Sequence, residues 1–208
     1  MKLFLNSKKV IIAAFFISLI FPSQEILNNL PSIDYEKWKV LKEGNISIRY
    51  TDEFNIPWCN AVAVYPNSID QIYRVLKDLT NYKNIFERVT HSIVLDEYNN
   101  IVYIKLDMPY FFANRDYTVQ YIEKKEGDNI IFQFHSVVHP ESPFYEDSVT
   151  LPRASGQWML IPLSEDRTQV YYTWNGELLG SFPSVSLHTA WEEQGSEVLT
   201  WLYNYINK

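Results

Sequence analysis

The stretch Pro183–Ile206, PSVSLHTAWEEQGSEVLTWLYNYI, decides how the rest of the chain is read. It is the longest segment with a helical period. Leu187, Ala190, Trp191, Gln194, Val198, Leu202 and Tyr205 recur at three- and four-residue steps and share one stripe. Leu199, Tyr203 and Ile206 widen that stripe, whereas Glu192, Glu193 and Glu197 fall off it, where water favours them. Pro183 suits the first turn, because its missing N–H is an orphan there anyway. A helix this apolar needs a large partner, and upstream the chain offers only short strands. The pattern therefore predicts an α+β fold in which a curved antiparallel sheet packs around the C-terminal helix.

Composition bounds the rest. At 208 residues the chain suits one domain with a short extension. Aromatic residues make up 16% of it and there are only 6 glycines, which favours bulky side chains on a sheet over a glycine-rich phosphate loop. The net charge of -7 argues against a nucleic-acid partner. The single cysteine, Cys59, excludes an internal disulfide and a cysteine-based zinc site, and reads as a small buried hydrophobe.

Residues 1–23 read as a signal peptide. Lys2, Lys8 and Lys9 are its only charges, and Val10 to Phe21 runs apolar except for Ser18. Such a run is a signal core and too short for a membrane span. Ser23 suits the last position before cleavage, but bulky Phe21 breaks the small-residue rule. No cysteine follows, so a lipoprotein anchor is excluded. The expectation is export to the periplasm or medium of a bacterium, leaving 15 basic against 25 acidic residues, a charge of -10.

Residues 24–33 form a short extension and 34–208 the domain. Asp34 caps an expected short helix over Ile33–Leu41, in which Tyr35, Trp38 and Leu41 share a face. Ile46–Tyr50 and Ala61–Tyr65 read as strands. Ser68 then caps a helix carrying Ile69, Ile72, Tyr73, Val75, Leu76 and Leu79, and Asn81–Glu87 adds a further helical turn. From Val89 the period becomes two. Strands are expected at 91–95, 101–108, 116–123, 130–138, 157–163 and 168–176, with a longer excursion from Pro140 toward Gly156. The short turns between strands favour antiparallel pairing.

The concave face of such a sheet is apolar and the convex face wet. Tyr117, Val119 and Tyr121 alternate with Asp116, Thr118 and Gln120; Ile130, Phe132 and Phe134 alternate with Ile131, Gln133 and His135. Packed tightly, the inward rings make a core. Held apart by the helix, they line a cavity for an apolar ligand. The alternation leaves both open.

One segment is more specific than any period: Met108-Pro-Tyr-Phe-Phe-Ala-Asn-Arg-Asp-Tyr117. It resembles the proline-aromatic run into Arg-Asp-Tyr of the START family, the StAR-related lipid-transfer domains. Gly156-Gln157-Trp158 with Pro162, and Gly180-Ser181-Phe182-Pro183 before the last helix, resemble later motifs of that family in order. Trp38 with 46–50 resembles its start. The resemblance spans about 34–208 and implies a helix-grip fold that binds one lipid reversibly, without chemistry or cofactor. It implies a phospholipid, fatty acid or sterol-like ligand and transient membrane contact. Tyr121 stands where sterol-carrying relatives tend to have a second arginine, and the run before Arg115 is closer to the phospholipid-carrying branch.

The candidate cavity residues are Arg115, Tyr117, Val119, Tyr121, Phe132, Phe134, Trp158, Tyr172, Leu187 and Trp191. Of these, Trp191 (like Trp201) weighs toward core, while Trp158 and Tyr172 (like Trp174) suit either role. Gly180, Phe182 and Pro183 are the candidate gate, since Gly180 tolerates wide dihedrals and Pro183 sets the helix start. Arg115 reads either as an anchor for a phosphate or carboxylate or as half of a structural ion pair with Asp107 or Glu177. His91, His135, His139 and His188 lack metal-ligand spacing and read as surface residues or as residues supporting others from behind. No Gly-x-Ser-x-Gly elbow occurs. A monomeric lipid carrier is the leading reading. A cyclase- or hydrolase-like enzyme on the same cavity and an interaction domain with a filled core are the rivals.

Overall fold

A computed structural model describes residues 27–109 and 112–208. The expected signal peptide at 1–23, the first residues of the extension, and Tyr110 and Phe111 of the proline-aromatic run lie outside them. The strands are β1 (Lys39–Lys42), β2 (Ile46–Thr51), β3 (Trp58–Tyr65), β4 (Val89–Asp96), β5 (Ile101–Leu106), β6 (Asn114–Glu126), β7 (Asn129–Ser136), β8 (Ser148–Thr150), β9 (Ser155–Ser164) and β10 (Arg167–Asn175). The helices are α1 (Ile69–Lys77), α2 (Tyr82–Ile85) and α3 (Leu187–Ile206). The sheet runs β1-β2-β3-β10-β9-β7-β6-β5-β4, with β8 pairing β6 off that path. Every pair is antiparallel except β6–β8.

The six later strands appear where the period-two pattern places them, each within a few residues. Helix α1 starts at the expected cap: Ser68 Oγ accepts from Gln71 N at 3.3 Å and Gln71 Oε1 from Ser68 N at 3.0 Å, a complete capping box. Helix α3 lies across β2 and β3 and buries Trp191, Gly195, Leu199 and Leu202. Gly195 permits the close approach. A Cβ there would stand 2.7 Å from Ile48 Cδ1 and 2.9 Å from the Trp174 ring. The Trp191 indole N–H donates to Gly176 O at 2.8 Å, and the Tyr65 hydroxyl to Leu199 O, so the helix is also pinned to the sheet by polar contacts.

Four expectations change. The helix expected over Ile33–Leu41 is instead a run of turns followed by β1. Of the residues on that expected face, Tyr35 packs edge-on to Trp38, Trp38 lies under the Arg49 guanidinium at 5.0 Å, and Leu41 packs against the core. Pro183 precedes a short 3-10 turn, Ser184–Ser186, and α3 proper begins at Leu187. The excursion after Pro140 contains a strand, β8, too short to be read from its pattern. The convex face is not wholly wet, for segments cover it at both ends of the sheet.

At one end Arg49 Nη2 donates to Ile33 O at 2.6 Å and Nε to Asn60 Oδ1 at 2.9 Å, tying the N-terminal turns over β2 and β3. At the other, residues 137–154 strap the outside of β5 and β6. Buried Lys105 bonds Asp147 at 2.8 and 3.0 Å, Thr150 donates to Asp116 Oδ1 at 2.7 Å, and the Thr118 and Ser142 hydroxyls meet at 2.7 Å. Asp116 and Thr118, read as outward, are outward but buried. So is His135 at 4% exposure, which leaves it, of its two expected places, the one beneath the surface.

Candidate functional site

The concave face is a ladder of rings. Tyr121 pairs with Phe134, Phe132 with Trp158, and Trp158 with Tyr172 across neighbouring strands, so their side chains share one face. Trp158 and Tyr172 stack at 4.5 Å, and Tyr172 and Trp174 at 4.8 Å. Gly156 makes room for this ladder, because Phe134 swings over it: a Cβ at Gly156 would lie 2.7 Å from the Phe134 ring and 2.2 Å from Thr173 O.

Helix α3 covers the part of the sheet next to β2 and β3 and leaves the rest open. The gap is a cavity of ≈320 Å³. Its floor is aromatic, with Tyr117, Tyr121, Phe134, Trp158, Tyr172 and Trp174. Phe86, Val89, Ile104 and Leu106 close the far side. Across the top lies one edge of α3, with Ala190, Gln194, Val198 and Trp201, and beside it a polar edge of Ser186, Thr189, Glu193 and Glu197. The mouth runs between that polar edge and the segment holding Arg88, Met108, Pro109 and Phe112.

Two contacts cross the mouth. Phe112 and Phe182 meet with ring centroids 4.7 Å apart. The Arg88 guanidinium grips Glu197 with two bonds of 2.6 Å, joining the start of β4 to the middle of α3. That pair raises the Arg88 pKa above its ordinary value, chiefly through the Glu197 hydrogen bond, with the nearby Glu193 charge adding to it. Burial pushes the phenols of Tyr82, Tyr117, Tyr121 and Tyr172 upward, so they present neutral hydroxyls to the cavity.

Arg115 is 2% exposed and lines the cavity. Neither expected carboxylate reaches it: among the described residues it makes no ion pair, and Glu177 pairs with Arg153. Instead Nε donates to Leu178 O at 2.6 Å, Nη2 to Leu179 O at 3.0 Å, and Nη1 to Ala113 O and to Asn114 O at 3.3 Å. Main-chain carbonyls are partial charges only, so desolvation dominates and lowers the Arg115 pKa. It is thus tied to the main chain through carbonyls in place of the expected ion pair. It holds a bend in which Leu179 and Gly180 both take left-handed dihedrals, φ +49° and +65°.

Six of the ten expected cavity residues do face the space: Arg115, Tyr117, Tyr121, Phe134, Trp158 and Tyr172. The other four do not. Val119 and Phe132 sit on the right strands but in the solid core, with Phe132 packed between Tyr73 and Tyr121. Leu187 and Trp191 lie on the flank of α3 that meets the sheet edge, where Trp191 packs on Tyr50. Of the expected gate, Phe182 lines the cavity and Gly180 sits in the bend against Arg115 and Val149. Arg88, Glu193 and Glu197 were missed as cavity residues. The signal was present: Ser186, Thr189, Glu193 and Glu197 recur at three- and four-residue steps, a polar stripe beside the apolar one. Read alone, such a stripe is a solvated face. Among the described residues no group of three or more His, Cys, Asp and Glu side chains gathers as a metal site requires.

No protein-family model matches the sequence, and no curated protein matches it. Solved structures do. The STAR-related lipid transfer protein of Xanthomonas axonopodis superposes with a TM-score of 0.71 at 23% identity, covering 82% of this chain and 99% of that one. Human StAR-related lipid transfer protein 5 gives 0.72 at 15% identity, over 88% of this chain and 92% of that one. The Zhui aromatase/cyclase of Streptomyces sp. R1128 gives 0.50 at 15% identity, over 77% and 94%. At these identities the likeness is one of fold.

Proposed function

We propose that this chain, whose fold is the START-type helix grip, binds a single lipid in its internal cavity and carries or presents it without altering it. The observation that carries the reading is the ring-lined cavity, open at its mouth, between α3 and the sheet. Moving an apolar chain through water costs about 0.8 kcal/mol per exposed methylene, and a space of this kind removes that cost. The names of the lipid-transfer neighbours point the same way. The expected setting is an exported monomer in a bacterial periplasm or medium that touches membranes briefly.

Native mass spectrometry of protein purified without organic solvent tests this. A retained lipid at one per chain is the expected result, and protein that neither retains nor takes up any lipid overturns it. A cyclase-like activity is the second reading, favoured by the carboxylates of Glu193 and Glu197 at the cavity wall and by the aromatase/cyclase neighbour. Ligand recovered with an altered mass after incubation supports that reading and removes the carrier without chemistry.

A further inference from the structure

We infer that the cavity takes an acidic lipid, its carboxylate or phosphate drawn to the buried Arg115 guanidinium and its apolar body lying along the ring floor. The inference rests on the lipid-binding reading and names the ligand's class. Charge is its first ground. Among the described residues, Arg88, Arg115, Glu177, Glu193 and Glu197 are the arginines and glutamates on the wall. Glu197 is bound by Arg88, whose Nη1 stays unused, and Glu177 by Arg153. Glu193 is exposed to water. Arg115 is 2% exposed and has no carboxylate partner. An arginine keeps its proton even when buried, so a full positive charge sits in the wall with carbonyl dipoles as its partners. A buried charge without an opposite one is costly, and an anion brought into the cavity offsets that cost.

Donors are the second ground. A guanidinium carries five N–H hydrogens. Four go to the carbonyls of Ala113, Asn114, Leu178 and Leu179, which leaves one on Nη2. Those carbonyls also fix the guanidinium before a ligand arrives, so little ordering is left to binding. Tyr117 stands two residues along β6, on the same face, and lines the cavity. Its hydroxyl makes no hydrogen bond among the described residues, and burial keeps it protonated. Such a hydroxyl donates to an oxyanion, and bonds to a charged acceptor are stronger than neutral ones.

Orientation follows. The charges of Glu193 and Glu197 act on Arg88, whereas burial alone moves the pKa of Arg115. An anion is repelled by the acidic edge of α3 and attracted to Arg115. The head group therefore lies beside the 178–180 bend, and the apolar body runs toward Trp158 and Phe134.

The test compares the lipid-free protein's affinity, by calorimetry at pH 8, for three probes of one chain length: dodecanoate, dodecyl phosphate and 1-dodecanol. At least one of the two anions is expected to bind about tenfold more tightly than the alcohol, and the tighter of them tells carboxylate from phosphate. Carbon NMR of carboxyl-labelled dodecanoate then reads the titration of the bound acid. An apolar cavity alone raises its midpoint above that of the free acid, whereas a neighbouring cation lowers it; a lowering of about one unit or more is expected. Arg115→Gln, compared where its circular dichroism matches the parent, is expected to turn the lowering into a rise. Should that variant not fold, the parent's midpoint decides. The inference is overturned if the alcohol binds as tightly as both anions, if the parent's midpoint is unshifted or raised, or if folded Arg115→Gln keeps it lowered. The first of these leaves the lipid-binding reading standing; binding of none of the three probes removes both.

Discussion

Arg115 illustrates how a residue can be singled out correctly for the wrong partner. A buried guanidinium needs acceptors, and the bend at Leu178 and Leu179 supplies carbonyls where carboxylates were expected. The bend in turn depends on the arginine, since a leucine at φ +49° is strained and must be held from outside. Arg115→Leu strands several buried carbonyls and is expected to cost about 3 kcal/mol, read as a lowered denaturation midpoint. Arg115→Lys is expected to recover little, because one ammonium cannot replace a planar fork aimed at four carbonyls. A Lys variant as stable as the parent overturns this account. His135 makes a second prediction. Its Nδ1 is buried without a partner, and burial lowers its pKa below the ordinary 6.5. Folding thus favours the neutral ring. The associated stability is fully present above about pH 6.5, the unfolded value, and is lost as pH falls below it. Melting temperatures at pH 7.5 and 5.5 check this: the drop is expected to shrink in His135→Gln.

Among the elements, α3 carries two opposing demands. It must press on the sheet to close the core, and its other flank must stand off to leave a cavity. Gly195 serves the first. In a free helix Gly→Ala is worth about 1 kcal/mol in the alanine's favour. Here the methyl would run into Ile48, Trp174 and Ala61, whose positions the sheet fixes. Overpacking of that kind costs about 1–3 kcal/mol, so Gly195→Ala is expected to destabilise, measured by chemical denaturation; a stabilised variant refutes the close-approach argument. The Arg88–Glu197 pair serves the second demand by fastening the middle of α3 across the mouth. Both side chains are 30% exposed, so the pair is worth no more than about 1 kcal/mol to stability. Its larger effect is kinetic. Glu197→Gln is expected to speed exchange of bound lipid between vesicles several-fold, and an unchanged rate excludes this edge of α3 as the door.

At the scale of the whole molecule, the cavity exists because the sheet is wider than the helix it holds. One helix covers the β2–β3 end, and the uncovered rings between Tyr117 and Trp174 become a wall. The segments strapped across the convex face tie that wall from outside, and the Phe112–Phe182 contact spans its mouth. The setting of the molecule is a separate matter, carried by residues 1–23. Expression in a bacterial host followed by N-terminal sequencing is expected to return a mature chain beginning near Gln24. An intact Met1 in the cytosolic fraction overturns the export expectation.

Periodicity by itself determined the long C-terminal helix, the capped α1, the six later strands and their antiparallel order, because side-chain alternation and capping are local physics. The Met108–Tyr117 run and the glycine-bearing motifs indicated the helix-grip arrangement only through their resemblance to a known family. Tertiary structure alone decided which inward rings are core and which are wall. Phe132 and Phe134 have the same parity on one strand, yet only Phe134 borders open space. The same holds for Glu193 and Glu197: their stripe was legible, but whether water or a cavity faced it depended on where α3 came to rest. Local pattern assigns a side chain to a face of its own element. What that face meets is set by packing between segments far apart in the chain, and no periodicity records it.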